Sequence, residues 1–217
     1  MPHGNLSKIA ERLHVKFVGG RLCLDFVNTV GGRAPTGAPL REKISCFEDW
    51  LDWSLLAGSL TASSARALAR LAAAHPAEAA DTMNRAMRLR ESLYGIFKCT
   101  QHRRRPAESD ADILRAELAI ARSNQRLTAY RGRFAFAFPP SPESLDRVLW
   151  PVALSAAELL TSDDLAAIRE CPGPDCGWLF LDTSRNRRRR WCDMQDCGNR
   201  AKVRRFRTKA TPVPEMS

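Results

Sequence analysis

Four cysteines near the end of the chain, Cys171, Cys176, Cys192 and Cys197, form two pairs, each with four residues between its members and with 15 residues between the pairs. Two short loops that each offer two thiolates can close a tetrahedron around zinc, and Pro172, Gly173, Pro174 and Gly177 supply the tight backbone that such knuckles need. Four sulfur ligands leave no position open for water, so the metal expected here is one structural Zn2+. The competing reading, disulfides or plain buried thiols, suits a reducing compartment and a polar, turn-rich stretch poorly. Cys23, Cys46 and Cys99 have no second Cys or His at metal spacing and read as small buried apolar residues. The four histidines, His3, His14, His75 and His102, sit beside no cysteine, serine or carboxylate at a catalytic spacing, and no enzyme is expected.

Cations crowd the same region. The formal net charge is +10, and residues 169–209 hold 12 Lys/Arg against 5 Asp/Glu, leaving only +3 for the rest of the chain. Arg187, Arg188, Arg189 and Arg190 stand consecutively between the cysteine pairs, with Arg185 before them and Arg200, Lys202, Arg204 and Arg205 after the last cysteine. Such neighbours repel one another unless solvent or a polyanion screens them. Fixed to a metal-held scaffold, they form a surface for phosphate, because the guanidinium fork matches phosphate oxygens in pairs. These nine residues are the candidate nucleic-acid contacts, and double-stranded DNA is the expected partner. RNA is the alternative if Trp178, Phe180 or Trp191 is exposed for base stacking, and an acidic protein partner of a zinc-dependent interaction module is the third reading.

The elements that must hold this site follow from periodicity. Trp178, Phe180 and Trp191, alternating with Leu179 and Leu181, suit a β-hairpin between the cysteine pairs whose apolar face covers the metal. After Cys197, Val203, Phe206 and Ala210 share one helical face, expected to dock on that hairpin in a treble-clef-like arrangement. Upstream, residues 15–30 begin with a β-branched and aromatic run and a Gly19-Gly20 turn signal, and LCLDFVNTV fits a strand or a helix equally. Residues 31–43 read as an exposed loop. Helices are expected through Phe47–Leu56 with Gly58 as a stop, from a Thr61 or Ser63 cap to His75, from Ala77 to about His102, and from a Ser109 cap through Ala121. Arg131-Gly132-Arg133 turns into a strand with Phe134, Phe136 and Phe138 on one face, and a helix at 144–160 must break or kink at Pro151. The fold class expected is a mainly α N-terminal domain with a few short strands over 1–165, a small α+β zinc finger over 166–210, and a tail at 211–217. Within the first domain, Asp25, Asn28, Thr29 and Arg33 are candidates for a small-molecule effector, although polar groups in an apolar stretch more often satisfy backbone.

The segment from Cys171 to Arg207, with WLFLDTSRN, RRWC and the tetrapeptide Cys197-Gly198-Asn199-Arg200 in order, resembles the CGNR zinc finger family. GRLCLDFVNTV and the helices behind it resemble the alanine- and arginine-rich ABATE domain, described as a proposed stress-induced transcriptional regulator. The resemblance implies zinc on Cys171, Cys176, Cys192 and Cys197 and a DNA-binding role for the finger, with an N-terminal domain that senses an effector or pairs two subunits as a homodimer. The chain lacks a run of about 18 apolar residues and an apolar leader, so no membrane partner and a cytoplasmic location are expected.

Overall fold

In the computed structural model, residues 3–33, 40–130, 132–139 and 144–210 are described. Arg131, positions 34–39 of the expected loop and the expected tail at 211–217 lie outside them.

A helical body forms most of the chain. Helix α1 (His3–Leu13) packs on α3 (Phe47–Leu56), followed by α4 (Ala62–Ala74), α5 (Pro76–Gln101), α6 (Glu108–Ser123) and α7 (Trp150–Leu160). The ambiguous segment resolves as the six-residue helix α2 (Leu22–Val27), set between α5 and α7, with Cys23, Leu24, Phe26 and Val27 fully buried. Gly19 permits the entry into it and forms no hairpin turn: a Cβ there would sit 2.8 Å from Leu24 Cβ and 2.9 Å from the Asp25 backbone nitrogen. Trp50 and Trp53 are core, with Phe26 centroids 4.8 and 5.6 Å away.

Local chemistry sets some of the helix ends. The Thr61 hydroxyl accepts from Ser64 N–H at 3.1 Å and caps α4, and Gly58 takes a left-handed φ of +70° after α3. Helix α6 starts one residue before the expected cap: Ala107 occupies the cap position, and Ser109 lies in the first turn. The expected 144–160 helix is a 3₁₀ turn (Leu145–Val148) followed by α7, because Pro151 fits a first turn, where its missing N–H would have no partner. Cys46 is exposed and Cys99 half-buried, so of the three lone cysteines only Cys23 is a core residue.

Three two-stranded antiparallel pairs complete the described chain. Strands β1 (Val30–Gly31) and β2 (Arg41–Glu42) pair across the loop, with Gly31 and Gly32 buried rather than exposed. Strands β3 (Arg126–Tyr130) and β4 (Arg133–Ala137) form a hairpin that leaves Leu127, Phe134 and Phe136 in solvent, while Phe138 turns back onto Trp150 at 5.1 Å. Strands β5 (Ile168–Glu170) and β6 (Leu179–Leu181) pair Ile168 with Leu181 and Glu170 with Leu179. This third hairpin encloses the first cysteine pair, and it replaces the hairpin expected between the pairs. A π-helical turn (Met194–Gly198) leads into the last helix, α8 (Asn199–Ala210).

Candidate metal centre and cationic surface

Strand β6 positions the cysteines by facing two ways. Leu179 and Leu181 belong to the same buried cluster as Phe26, Trp50 and Leu93 of the body, whereas Trp178 and Phe180 pack with the four cysteines. Period-2 alternation on a strand buried on both faces thus joins the site to the main core. The other edge of β6 is held by the N-terminal segment. Leu179 N–H donates to Asn28 Oδ1 at 2.9 Å, Asn28 Nδ2 donates to Leu179 O at 2.8 Å, and Leu181 N–H donates to Gly19 O at 2.9 Å. Trp178 Nε1 donates to Val30 O at 2.8 Å, and Arg33 N–H to Cys176 O at 3.2 Å.

The Sγ atoms of Cys171, Cys176, Cys192 and Cys197 all lie within 4.8 Å of one another and are buried. Cys192 Sγ is 3.6 Å from both Cys176 Sγ and Cys197 Sγ, close to the roughly 3.8 Å edge of a tetrahedron built on Zn–S bonds of about 2.3 Å. Gly173 makes the first knuckle possible, since a Cβ there would stand 3.1 Å from Cys176 Cβ and 3.3 Å from Cys197 Sγ. Four thiols this close cannot all ionise alone. Hydrogen bonds from Cys176 and Cys192 draw Cys171 well below the ordinary thiol range, and the same sulfur contacts push Cys176 and Cys192 above it. A divalent cation removes that conflict by letting every sulfur stay deprotonated. The donor set and its spacing fit one structural zinc.

A cleft of about 180 Å³ between body and finger reaches three of these cysteines, and Lys16, Arg41, Lys43 and Arg200 line it. Lys16 pairs with Asp193 at 2.8 Å, and Arg41 donates to Asp175 O at 3.0 Å. Lys43 lies 4.7 Å from the Trp178 ring centroid and donates to His14 O. Burial, followed by the charges of Arg41 and Lys16, lowers its pKa. With zinc bound, cations lining this cleft would offset part of the net negative charge of four thiolates.

The arginine block is held by an acid that the sequence reading passed over. Asp182, buried, accepts at Oδ1 from Ser184 N–H at 3.0 Å and from the Ser184 hydroxyl, and at Oδ2 from Arg189 N–H at 2.9 Å. Its signal is the Asp-Thr-Ser order, in which a side chain binds the backbone two residues on. On this folded loop Arg185, Arg187, Arg188 and Arg190 are exposed and pair with no carboxylate among the described residues, and Arg190 lies 5.4 Å from the Trp191 ring centroid.

Arg189 departs from the expectation. Its guanidinium donates to Trp191 O at 3.0 Å, to Leu181 O and Val18 O at 3.3 Å each, and to Cys192 O, and it stacks 4.4 Å from the Phe180 centroid. It ties the finger together and has no fork left for phosphate. Arg200 is also engaged: it donates to Cys197 Sγ at 3.3 Å and pairs with Asp196 at 3.1 Å, and the sulfur contact comes first among the causes that raise its pKa. Lys202, Arg204 and Arg205 are exposed on α8.

Val203 and Phe206 do not dock on a hairpin. They are 44% and 74% exposed, and the Ala210 side chain lies outside the described residues. Trp178 and Phe180 are buried and not presented for base stacking, and Trp191 is half-buried.

The four effector candidates are engaged inside the fold. Asn28 pairs with β6; the Thr29 hydroxyl donates to Phe26 O at 2.7 Å and accepts from Arg90 at 3.1 Å. Arg33 forms a two-pronged pair with Glu91 at 2.7 and 2.8 Å and lies 4.2 Å from the Tyr94 centroid. Asp25 accepts from Gly19 N–H at 2.8 Å. Each of these four side chains thus has a partner inside the fold.

Among the described residues no helix is long and apolar enough to cross a membrane. Against known families, residues 20–163 match the ABATE model, described as "Putative stress-induced transcription regulator", and residues 167–210 match the CGNR zinc finger model. No curated protein matches the chain.

Proposed function

Because the chain belongs to the ABATE family and carries a CGNR zinc finger, we propose that it is a DNA-binding transcription regulator whose finger grips duplex phosphates. The observation that carries this reading is the loop of Arg185, Arg187, Arg188 and Arg190, exposed, without carboxylate partners among the described residues, and fixed through Asp182 beside the cysteine cluster. Charge alone describes a solvated surface; charge on a backbone fixed by a buried acid is a preorganised one, which loses less entropy on meeting a polyanion. Arg204, Arg205 and Lys202 extend the surface along α8. In this reading the finger spans 166–210, and the body over 1–165 answers a stress signal in the cytoplasm, through an effector or through the pairing of two subunits. No catalytic step is assigned.

The test is fluorescence anisotropy of the zinc-loaded protein on a random-sequence duplex across salt concentrations. Tight binding with a steep negative slope is expected, and replacing Arg187 and Arg188 with Ala should weaken binding to every duplex alike and flatten the slope by about 2. Absence of binding at low salt, or an unchanged slope in the double variant, overturns the assignment.

A further inference from the structure

The apolar stripe of α8 faces away from the finger that carries it. Val203 and Phe206 lie about one turn apart, and Asn199, also exposed, continues the line one turn earlier. At 100° per residue, Lys202 and Arg207 flank this line on either side. The opposite side of the helix, with Ala201, Arg204 and Arg205, lines a cavity of about 340 Å³ against Pro172, Pro174 and Trp191 of the finger. From Asn199 to Arg207 the helix has five cations and no acid. Whatever covers this face must therefore be apolar along the middle and anionic along both edges.

Duplex DNA has that profile. Its major groove, about 12 Å wide, presents base edges and thymine methyl groups between two rows of phosphates. Helix α8 has 12 residues, about 18 Å of length, which is enough to lie across such a groove. A lipid surface would call for a broad apolar face, and α8 offers one Val and one Phe. The start of the helix is also fixed: Asn199 follows Cys197 by two residues, Gly198 N–H donates to Asp193 O at 3.0 Å, and Arg200 binds both Asp196 and the Cys197 sulfur. The metal centre thus sets the direction in which α8 leaves the finger.

We propose that α8 is the base-reading element. Val203 and Phe206 contact thymine methyl groups, Asn199 faces a base edge, and Lys202 and Arg207 meet the flanking phosphates. This rests on the reading of the finger as a duplex grip and adds to it the face that distinguishes one sequence from another. Arg200, held by Asp196 and Cys197, orients the helix.

The experiment is selection from a pool of duplexes with a random centre, using the zinc-loaded full chain, followed by anisotropy on the enriched duplex and on the same duplex with deoxyuridine in place of thymine. Enrichment of thymine-containing sites is expected, with about tenfold weaker binding when the methyl groups are removed. The Val203→Ser/Phe206→Ser variant should bind random duplex within about threefold of the parent with an unchanged salt slope, and should not distinguish thymine from deoxyuridine. The deoxyuridine comparison uses the unaltered protein, so it reads the proposal even if the variant misfolds. Binding without base preference, or indifference of the parent to the methyl groups, overturns this proposal and leaves the phosphate grip standing. Failure to bind any duplex overturns the grip itself. Binding of the parent to phosphatidylserine vesicles, abolished in the variant, would assign the stripe to a membrane surface and overturn it as well.

Discussion

Asp25 sits where the chain turns from Gly19 into α2, and its carboxylate accepts from Gly19 N–H at 2.8 Å. Burial lifts its pKa from 3.8 to about 6, against the opposing effect of hydrogen bonds from Gly19 and Val18 N–H. The folded chain therefore holds this proton at a pH where the unfolded chain has released it. Stability from this group is complete below about pH 4 and declines as pH rises toward 6, by on the order of 2 kcal/mol. Asp25→Asn keeps an oxygen for Gly19 N–H but cannot ionise, so its thermal midpoint should lose that decline; thermal scans at pH 4 to 7 would show it, and parallel profiles for parent and variant would refute the assignment. The same residue-level lesson applies to the arginine block. Five guanidinium groups between Arg185 and Arg190 look alike in sequence, yet Arg189 is drawn inward by four carbonyl oxygens and the Phe180 ring. Side-chain type gave the charge; only the fold separates the arginine that builds the loop from those that the loop presents.

Among the elements, β6 carries the most consequence for its three residues. One edge pairs with β5 and the other with the Asn28 amide and Gly19 O, so Asn28 does for Leu179 what a neighbouring strand would do. Replacing Asn28 with Ala leaves a buried N–H and a buried C=O of Leu179 without partners, at about 1–3 kcal/mol each, and should lower the urea midpoint without changing the slope. A variant within about 0.5 kcal/mol of the parent would show that water or a backbone shift replaces the amide. None of this pairing was legible in sequence. The helices α3 to α5 were, because each repeats its apolar face over several turns and ends at Gly58, Thr61 or Pro76. The four cysteines were legible because their spacing is itself the signal. Helix α2 was not, since six residues buried on nearly every side have no polar face to set a period. Strand β5 is Ile-Arg-Glu, too short to alternate, and its pairing depends on the knuckle that folds it back onto β6. For α8 the period was right and the direction wrong: an i, i+3, i+7 stripe says that residues share a face and is silent on what the face meets.

At the scale of the whole molecule, the metal centre is part of the structure that holds the body together. Leu179 and Leu181 lie in the main core, Arg33 and Asn28 bond the first knuckle and β6, Lys16 pairs with Asp193, and Arg189 reaches Val18 O. On α5, Tyr94 and Lys98 both bind Glu170 of β5, so the longest helix of the body is anchored one residue before Cys171. Zinc binding contributes roughly 10–16 kcal/mol in small metal-dependent peptides, comparable with the entire stability of an ordinary domain. If body and finger melt as one unit, removing the metal must destabilise α3 to α7 as well as the finger. Far-UV circular dichroism reads this directly, because most helical residues of the chain lie in the body and only α8 and a single turn lie in the finger. Chelation should lower the helical thermal midpoint by at least 10 °C, about 2–4 °C per kcal/mol for a chain of this size, and Cys171→Ser should lower it without chelator. A helical midpoint that stays in place while zinc is released would mean that the bonds across β6 carry little coupling, and the finger would then be a module attached to a body that does not depend on it. With coupling, metal loss would loosen the body and release the loop that presents Arg185, Arg187, Arg188 and Arg190 in the same step, so chelation would lower both the stability of the chain and the duplex binding proposed for it.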